Sequence, residues 1–459
     1  MPVIFWFRRD LRLVDNIGLK AAFESGKPVI PLFIFDPAIL QSERLGVPRL
    51  KFMLKALNAL KTDLHKHQCD LLIRHGNPAE VIQTLAEETG ADALYYNVDY
   101  TPYARQRDGA IKDIDVFAFH DRLLIPPDGI EKSSGGAYTV YTPFKNKWHT
   151  LDKSPIAEYH ISADNLYTNI PDEPIPSLAD LGFDETIAVP EIQPQEQLEA
   201  FLKYRLSHYA DSRDKLGNPA DAPKTGTSFL SPYIRFGLIS TRTIYWACRE
   251  AYSSANEAKR DSINKFVDEL IWYEFYTHIL WHFPDVKTHN FNRKYDSIQW
   301  RTDGLSAWKN GETGYPVIDA AMRQLKAIGW MHNRARMIVA SFLTKDLLID
   351  WREGELHFMQ WLIDGDLAAN NGGWQWAAGT GTDAQPYFRI FNPVSQSQKF
   401  DPDGAYIRHW IPELQDVPDK YIHAPWQMPH PPQNYPAPIV DHSEARQIAL
   451  ETYQKAGSV

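Results

Sequence analysis

The sequence predicts two dissimilar domains: an α/β N-terminal domain built on a Rossmann-like, doubly wound parallel sheet, and an all-α domain joined to it by a long connection. Three observations carry this. Over the first 130 residues short apolar runs alternate with helical patterns, the βαβ rhythm of a parallel sheet. A proline-rich, aperiodic stretch follows. Beyond Glu196 helical periods dominate and strand signals almost vanish. The expected limits are 1–130, 131–195 for the connection, and 196–459.

The strands are expected at VIFWF (3–7), VIPLFIF (29–35), LLIR (71–74), ALYYN (93–97) and VFAF (116–119), with helices between them at 48–66 and 78–89. Each apolar run is short and continuous, as strands buried on both faces require. No GxGxxG follows the first run, so the usual dinucleotide fingerprint is missing. Pro155, Pro171, Pro174, Pro176, Pro190 and Pro194 break the connection. Helical periods then mark 196–210, 231–252, 261–282, 316–328, 333–349 and 355–363.

A chain of 459 residues with 44% hydrophobic content has ample material for two cores. Cys69 and Cys248 are its only cysteines, which excludes a disulfide framework and fits a reducing compartment. The start, MPVIFWFRRD, lacks the order of a signal peptide, and no apolar run reaches the length of a membrane span. A cytoplasmic protein is expected. The net charge of -10 argues against nonspecific coating of nucleic acid but leaves room for a local basic patch. Fourteen tryptophans and 22 tyrosines serve core packing or stacking on ligands.

Four stretches of the helical half offer chemistry. KTGTSFLSP (224–232) clusters Thr225, Thr227, Ser228 and Ser231 ahead of a proline at a helix start. Such hydroxyls and free amides suit a phosphate; they equally make an ordinary capped helix. DELIWYEFYTHILWH (268–282) sets Glu269, Trp272 and Tyr276 on one helical face, either a core face or a ligand wall. If buried there, Glu269 would stay protonated and donate a hydrogen bond to a carbonyl. GWMHNRARMIVASFL (329–343) puts Asn333 and Met337 four apart, with Arg334 suited to a phosphate and Arg336 to a carboxylate. The alternative is surface ion pairs of little worth. LIDGDLAANNGGWQW (362–376) combines Asp364 and Asp366 with paired asparagines, glycines and tryptophans. Glycines allow close approach, amides donate and accept, and indoles are electron-rich, which suggests a flat, redox-capable ligand. No metal is expected, because no oxygen-ligand pattern surrounds the two acids.

These stretches occur in order with WFRRDLRLVDN (6–16), YTPFKNKW (141–148), TGYPVIDAAMRQL, KDLLIDWREGE, DGDLAANNGGWQWAAGTGTDAQPYFRIFNP and KFDPDG. Together they resemble the DNA photolyase and cryptochrome family, and within it most resemble the bacterial class I cyclobutane pyrimidine dimer photolyases. The resemblance runs nearly end to end. It implies FAD, reduced in the active form, inside the helical domain, an antenna-type α/β domain, and light-driven electron transfer to a dimer flipped out of UV-damaged DNA. It implies a monomer with no protein partner and no membrane.

Residue by residue, the resemblance assigns Tyr209, Thr227, Ser228, Leu230 and Ser231 to the flavin's phosphates and ribityl chain, with Phe229, Phe266 and Gly365 also at the cofactor site. It places Asp364 and Asp366 at the flavin's polar edge, Arg336 as partner of Asp364, and Asn370 facing flavin N5. Glu269 and Asn333 match polar groups of the dimer pocket; Trp272, Met337 and Trp376 match its apolar walls. Arg213, Arg334, Arg389, Gln396 and Lys145 match contacts to the DNA backbone. Trp374, Trp351 and Trp300 match a tryptophan chain that carries electrons to photoexcited, oxidised flavin; their spacing follows no helical period.

Two departures stand out. Tyr273 replaces an arginine of the enterobacterial pattern, removing one charge expected near the DNA face. Tyr103 and Ala104 stand where folate-binding members carry Asn and Glu, so a folate antenna loses its main polar contacts, and a deazaflavin, another flavin or nothing fills that domain. The chain stops at Val459 without the extension of many signalling cryptochromes, which favours repair over a cryptochrome-type photoreceptor. A nucleotide-dependent transferase using the sheet is disfavoured by the missing Gly-rich fingerprint. Members of the family that repair (6-4) photoproducts carry histidines where Asn333 and Met337 stand. Neither residue present is an acid at neutral pH, so cyclobutane dimers are the expected lesion.

Overall fold

The computed structural model describes residues 1–183, 187–217 and 226–457. Lys224 and Thr225 of the hydroxyl cluster lie outside them. Five parallel strands form one sheet in the order β3-β2-β1-β4-β5: β1 (Val3–Phe7), β2 (Val29–Phe35), β3 (Leu72–His75), β4 (Ala93–Asn97) and β5 (Asp115–Phe119). Val3 pairs with Val29 on one side and Ala93 on the other. Every residue of β1, β2 and β4 is buried, which explains their unbroken apolar runs, whereas β5 is an exposed edge.

The N-terminal helices are α1 (Ile17–Glu24), α2 (Pro37–Leu40), α3 (Val47–His65), α4 (Pro78–Thr89) and α5 (Pro102–Asp108). Then come α6 (Tyr141–Thr150), α7 (Pro194–Tyr204), α8 (Tyr209–Ser212), α9 (Ser231–Arg235), α10 (Thr241–Ser253) and α11 (Glu257–His282). The chain continues through α12 (Leu305–Asn310), α13 (Pro316–Ile328), α14 (Asn333–Ser341), α15 (Trp351–Trp361), α16 (Leu367–Ala378), α17 (Pro393–Phe400), α18 (Ala405–Trp410) and α19 (His442–Gly457). Helix α6 lies inside the stretch expected to be plain connection. Its Tyr141, Phe144 and Trp148 are buried at i, i+3 and i+7, a pattern of only three turns. Among the described residues no helix is long and apolar enough to cross a membrane.

Two expected helices are interrupted for identifiable reasons. The 231–252 pattern splits into α9 and α10 at Gly237, whose φ is +60° and where a Cβ would stand 2.3 Å from the Arg9 carbonyl oxygen. The break lets Leu11 donate to the Phe236 carbonyl at 3.0 Å, docking the loop after β1 onto the helical part. Ser240 then caps α10 through the Thr243 amide. The 333–349 pattern ends α14 at Ser341 and continues as a single π turn, Phe342–Asp346. That turn buries Lys345, whose Nζ donates to the Ala378 carbonyl at 2.7 Å, and Asp346, paired with His442 Nδ1 at 2.5 Å.

One hydrophobic cluster runs from Val3 and Phe5 of β1 to Phe275 and Leu280 of α11, so sheet and helices share a core. A second, around Trp308, Trp351 and Trp374, belongs to the helical part alone. Buried charge ties the halves together: Arg242 of α10 donates to Asp15 (3.0 Å) and Asp121 (2.7 Å), and Arg12 reaches Asp121 at 2.7 Å.

Candidate active site

A cavity of about 500 Å³ opens in the helical part. Helix α11 supplies one wall, because Glu269, Trp272 and Tyr276 fall on one face, joined by Phe266 and Tyr273. The first turn of α14 brings in Asn333, Arg336 and Met337; the Asn333 amide lies 4.0 Å from the Met337 sulfur. Thr227, Ser228, Phe229, Ser231 and Arg235 line it from the stretch entering α9. Asp364, Asp366, Gly373 and Trp376 do so from α16 and its approach, and Tyr209 and Arg213 complete the rim. Stretches up to 167 positions apart, from Tyr209 to Trp376, thus converge on one space.

The polar edge is built around two aspartates and several arginines. Asp366 caps α16: its Oδ1 accepts from the amides of Ala368 (3.0 Å) and Ala369 (3.2 Å), while Oδ2 accepts from Arg9 and, at 3.3 Å, from Arg122. Burial alone pushes its pKa up, but Arg9, Arg122 and Arg235 outweigh that and hold it well below the usual carboxylate range. Arg336 pairs with Asp364 at 2.8 Å and anchors itself on the Met331 carbonyl. Three buried polar atoms of lining residues have no partner among the described residues: Arg235 Nη1, Asp364 Oδ1 and His332 Nε2. His332 caps α14 through its Nδ1, which accepts from the Arg334 amide at 3.1 Å, and burial lowers its pKa to about 4.

Other expected site residues make contacts that differ from the expectation. Asn370 is not among the lining residues; its amide donates to the Glu355 carbonyl (2.9 Å) and carboxylate (3.1 Å). Leu230 is fully buried in the core, and Gly365 packs against Arg49. Glu269 is not the buried, protonated acid considered above: it is partly exposed and ion-paired with Arg213. Tyr273 turns away from the outer face, its hydroxyl accepting from Arg122 Nε at 3.1 Å. It belongs to the network of Arg9, Arg122, Asp99 and Asp366 that joins the halves.

Trp374 and Trp351 are buried in one cluster with Trp300 packed against it. The Trp374 ring lies against the backbone of Gly354, one turn beyond Trp351, and Trp351 Nε1 donates to Asn290 at 2.8 Å. Beside Trp300, Arg301 donates to the Leu348 carbonyl. Among the expected backbone contacts, Arg334 pairs with Asp214 (2.8 Å) and Lys145 with Asp268 (2.7 Å), while Arg389 is exposed and Gln396 half-buried. In α5 of the N-terminal half, Tyr103 donates to Asp36 at 2.5 Å and Ala104 is buried. His65, Asp70 and Asp172 cluster far from the cavity in sequence, with Lys61 bonded to both acids.

Residues 3–160 match the family described as DNA photolyase, and residues 266–455 match the FAD binding domain of DNA photolyase. Over 486 aligned residues the chain is 43% identical to a deoxyribodipyrimidine photo-lyase of Halobacterium salinarum, covering 99% of each. The chain belongs to the DNA photolyase family. Among solved structures it is similar to a bacterial class III photolyase from Agrobacterium tumefaciens, with a TM-score of 0.89 and 37% identity over 100% of this chain and 98% of that one. It is also similar to a cryptochrome from Synechocystis, with a TM-score of 0.86 and 28% identity over 98% and 99%. As in other photolyases, the cofactor is FAD.

Several residues of this photolyase site escape sequence reasoning. Arg9 and Arg122 meet Asp366 from 357 and 244 positions away. Tyr141 stacks on Trp272 with ring centroids 3.6 Å apart and planes within 3°. The only available signal was that both WFRRDLR and YTPFKNKW belong to motifs.

Proposed function

We propose that the cavity holds FAD and a flipped-out cyclobutane pyrimidine dimer side by side, making this chain a deoxyribodipyrimidine photo-lyase that repairs UV-damaged DNA in light. The observation that carries this reading is the convergence of two chemically distinct residue sets on one space of about 500 Å³. One set, Thr227, Ser228, Ser231, Arg336, Asp364 and Asp366, is polar and suits a cofactor with phosphates and a hydrogen-bonding ring edge. The other, Glu269, Trp272, Asn333, Met337 and Trp376, combines apolar walls with groups for carbonyl edges, as two linked pyrimidines flipped from one strand require.

The fit to FAD rests on the unpartnered atoms: Asp364 Oδ1 offers an acceptor for a ring N–H, and Arg235 Nη1 and His332 Nε2 are polar atoms that a bound ligand would satisfy. Bound FAD, held by Thr227, Ser228, Ser231, Asp364 and Asp366, would supply the light-driven electron for ring splitting. Trp272, stacked on Tyr141, is fixed as a rigid wall for one face of the dimer. Arg213 holds the Glu269 carboxylate at the rim, and Met337 and Trp376 exclude water. Trp374, Trp351 and Trp300, packed in one cluster, would carry electrons to oxidised flavin and so restore its reduced state. Arg334, Arg389, Arg213, Gln396 and Lys145 meet the DNA backbone. The closer identity to photo-lyases than to the cryptochrome supports repair over signalling. The protein acts as a cytoplasmic monomer, consistent with two buried, free cysteines.

The double variant Asn333→Ala, Met337→Ala is expected to retain FAD and lose most repair of thymine dimers. Repair at the unaltered rate would remove these residues from the lesion site.

A further inference from the structure

Arg235 ends α9 and reaches across to the approach of α16, where its Nε donates to the Gly365 carbonyl at 2.7 Å. Gly365 lies between Asp364 and Asp366, so the guanidinium is pinned at the polar edge of the cavity. Its Nη1 is buried with no partner. A buried guanidinium is ordinarily paired with an anion, because desolvation of an unpaired charge is costly.

Among the described residues no carboxylate nearby is free to serve. Asp366 is fully engaged by Arg9, Arg122 and two helix amides. Asp364 gives one oxygen to Arg336, and its other oxygen, also unpartnered, does not reach Arg235. Around Arg235 stand further cations: Arg9, whose Nε donates to the Arg235 carbonyl at 3.4 Å, together with Arg49 and Arg122. Burial, and then these neighbours, pull the Arg235 pKa well below its usual value. The edge therefore carries uncompensated positive charge beside a free carboxylate oxygen.

The chemistry of the missing partner follows. A phosphate offers no N–H to Asp364 and is repelled by it. The pyrimidine edge of a flavin carries an N–H next to carbonyl oxygens on which negative charge accumulates once the ring is reduced. We infer that Arg235 supplies the counter-charge for the anionic, reduced form of FAD, and so favours the redox state that repair requires. This inference rests on the reading that the cavity holds FAD.

The test compares wild-type protein with Arg235→Gln and Arg235→Lys, measuring the affinity of apoprotein for oxidised FAD and the two-electron reduction equilibrium of the bound cofactor. Failure of the wild type to bind FAD would refute the cavity assignment itself, before any variant is considered. With FAD bound, Arg235→Gln is expected to shift the reduction equilibrium at least about tenfold toward the oxidised form, about 30 mV more negative. Oxidised FAD should bind within about threefold of wild type, well under the 1.4 kcal/mol that a tenfold change represents. Arg235→Lys, which keeps the charge, should restore the wild-type equilibrium. An unchanged equilibrium overturns the inference, as does equal weakening of oxidised and reduced FAD, which would mark a phosphate contact. Should Arg235→Gln not fold, Arg235→Met, which keeps the apolar stem, carries the same comparison.

Discussion

His332 heads α14 with one ring nitrogen capping the helix and the other buried without a partner among the described residues. Burial lowers its pKa from 6.5 to about 4. The unfolded chain therefore takes up a proton, as pH falls through that window, which the native state refuses. Native stability rises with pH across the same interval, by about 1.4 kcal/mol per pH unit from this residue. Replacing His332 by Asn should remove that contribution, so denaturant unfolding of the apoprotein between pH 6.5 and 4 should be correspondingly less steep. An identical slope would contradict a neutral, buried imidazole. In the sequence His332 was unremarkable, because nothing local distinguishes a capping histidine from a solvent-facing one. Asn333 and Met337 were legible as neighbours, since a spacing of four is a property of one helix. Arg9 and Arg122 were not, since their partner Asp366 is fixed by tertiary docking.

Helix α16 shows the same contrast for whole elements. Its paired glycines implied close approach, and Gly372 meets the Tyr276 ring of α11: a Cβ there would stand 2.1 Å from Tyr276 Cδ1. Gly373 lines the cavity instead. Gly372→Ala should overpack this contact and destabilise the protein by roughly 1–3 kcal/mol, seen as a lower thermal midpoint. It should also weaken FAD binding, because Tyr276 is a cavity wall. A midpoint equal to wild type would mean the two helices separate easily. The five strands were readable because burial on both faces leaves an uninterrupted apolar run. Short helices such as α1 and α6 were not, since two or three turns hold too few periods to register. The break between α9 and α10 was hidden for another reason: Gly237 is shaped by the Arg9 backbone, which only the folded chain brings near.

Over the whole molecule, the α/β half and the helical half act as one body joined by buried charge as well as by a common core. Arg242 is fully buried and holds Asp15 and Asp121. Among the described residues, Arg242→Leu leaves Asp15 with no cation and Asp121 with Arg12 alone, and should cost about 3–5 kcal/mol, measured by equilibrium unfolding; a loss under about 1 kcal/mol would mean that water reaches the network. The same docking carries Arg9 and Arg122 of the N-terminal half to Asp366, which lines the cavity. The central claim is that this united structure splits cyclobutane dimers with light. Duplex DNA containing a single cyclobutane thymine dimer, and a second duplex containing a (6-4) product, should each be mixed with FAD-loaded, chemically reduced protein and illuminated with blue light beside dark controls. The account predicts restoration of the cyclobutane duplex in light alone and no change in the (6-4) duplex. An unrepaired cyclobutane dimer in the light, or a restored (6-4) product, would contradict it.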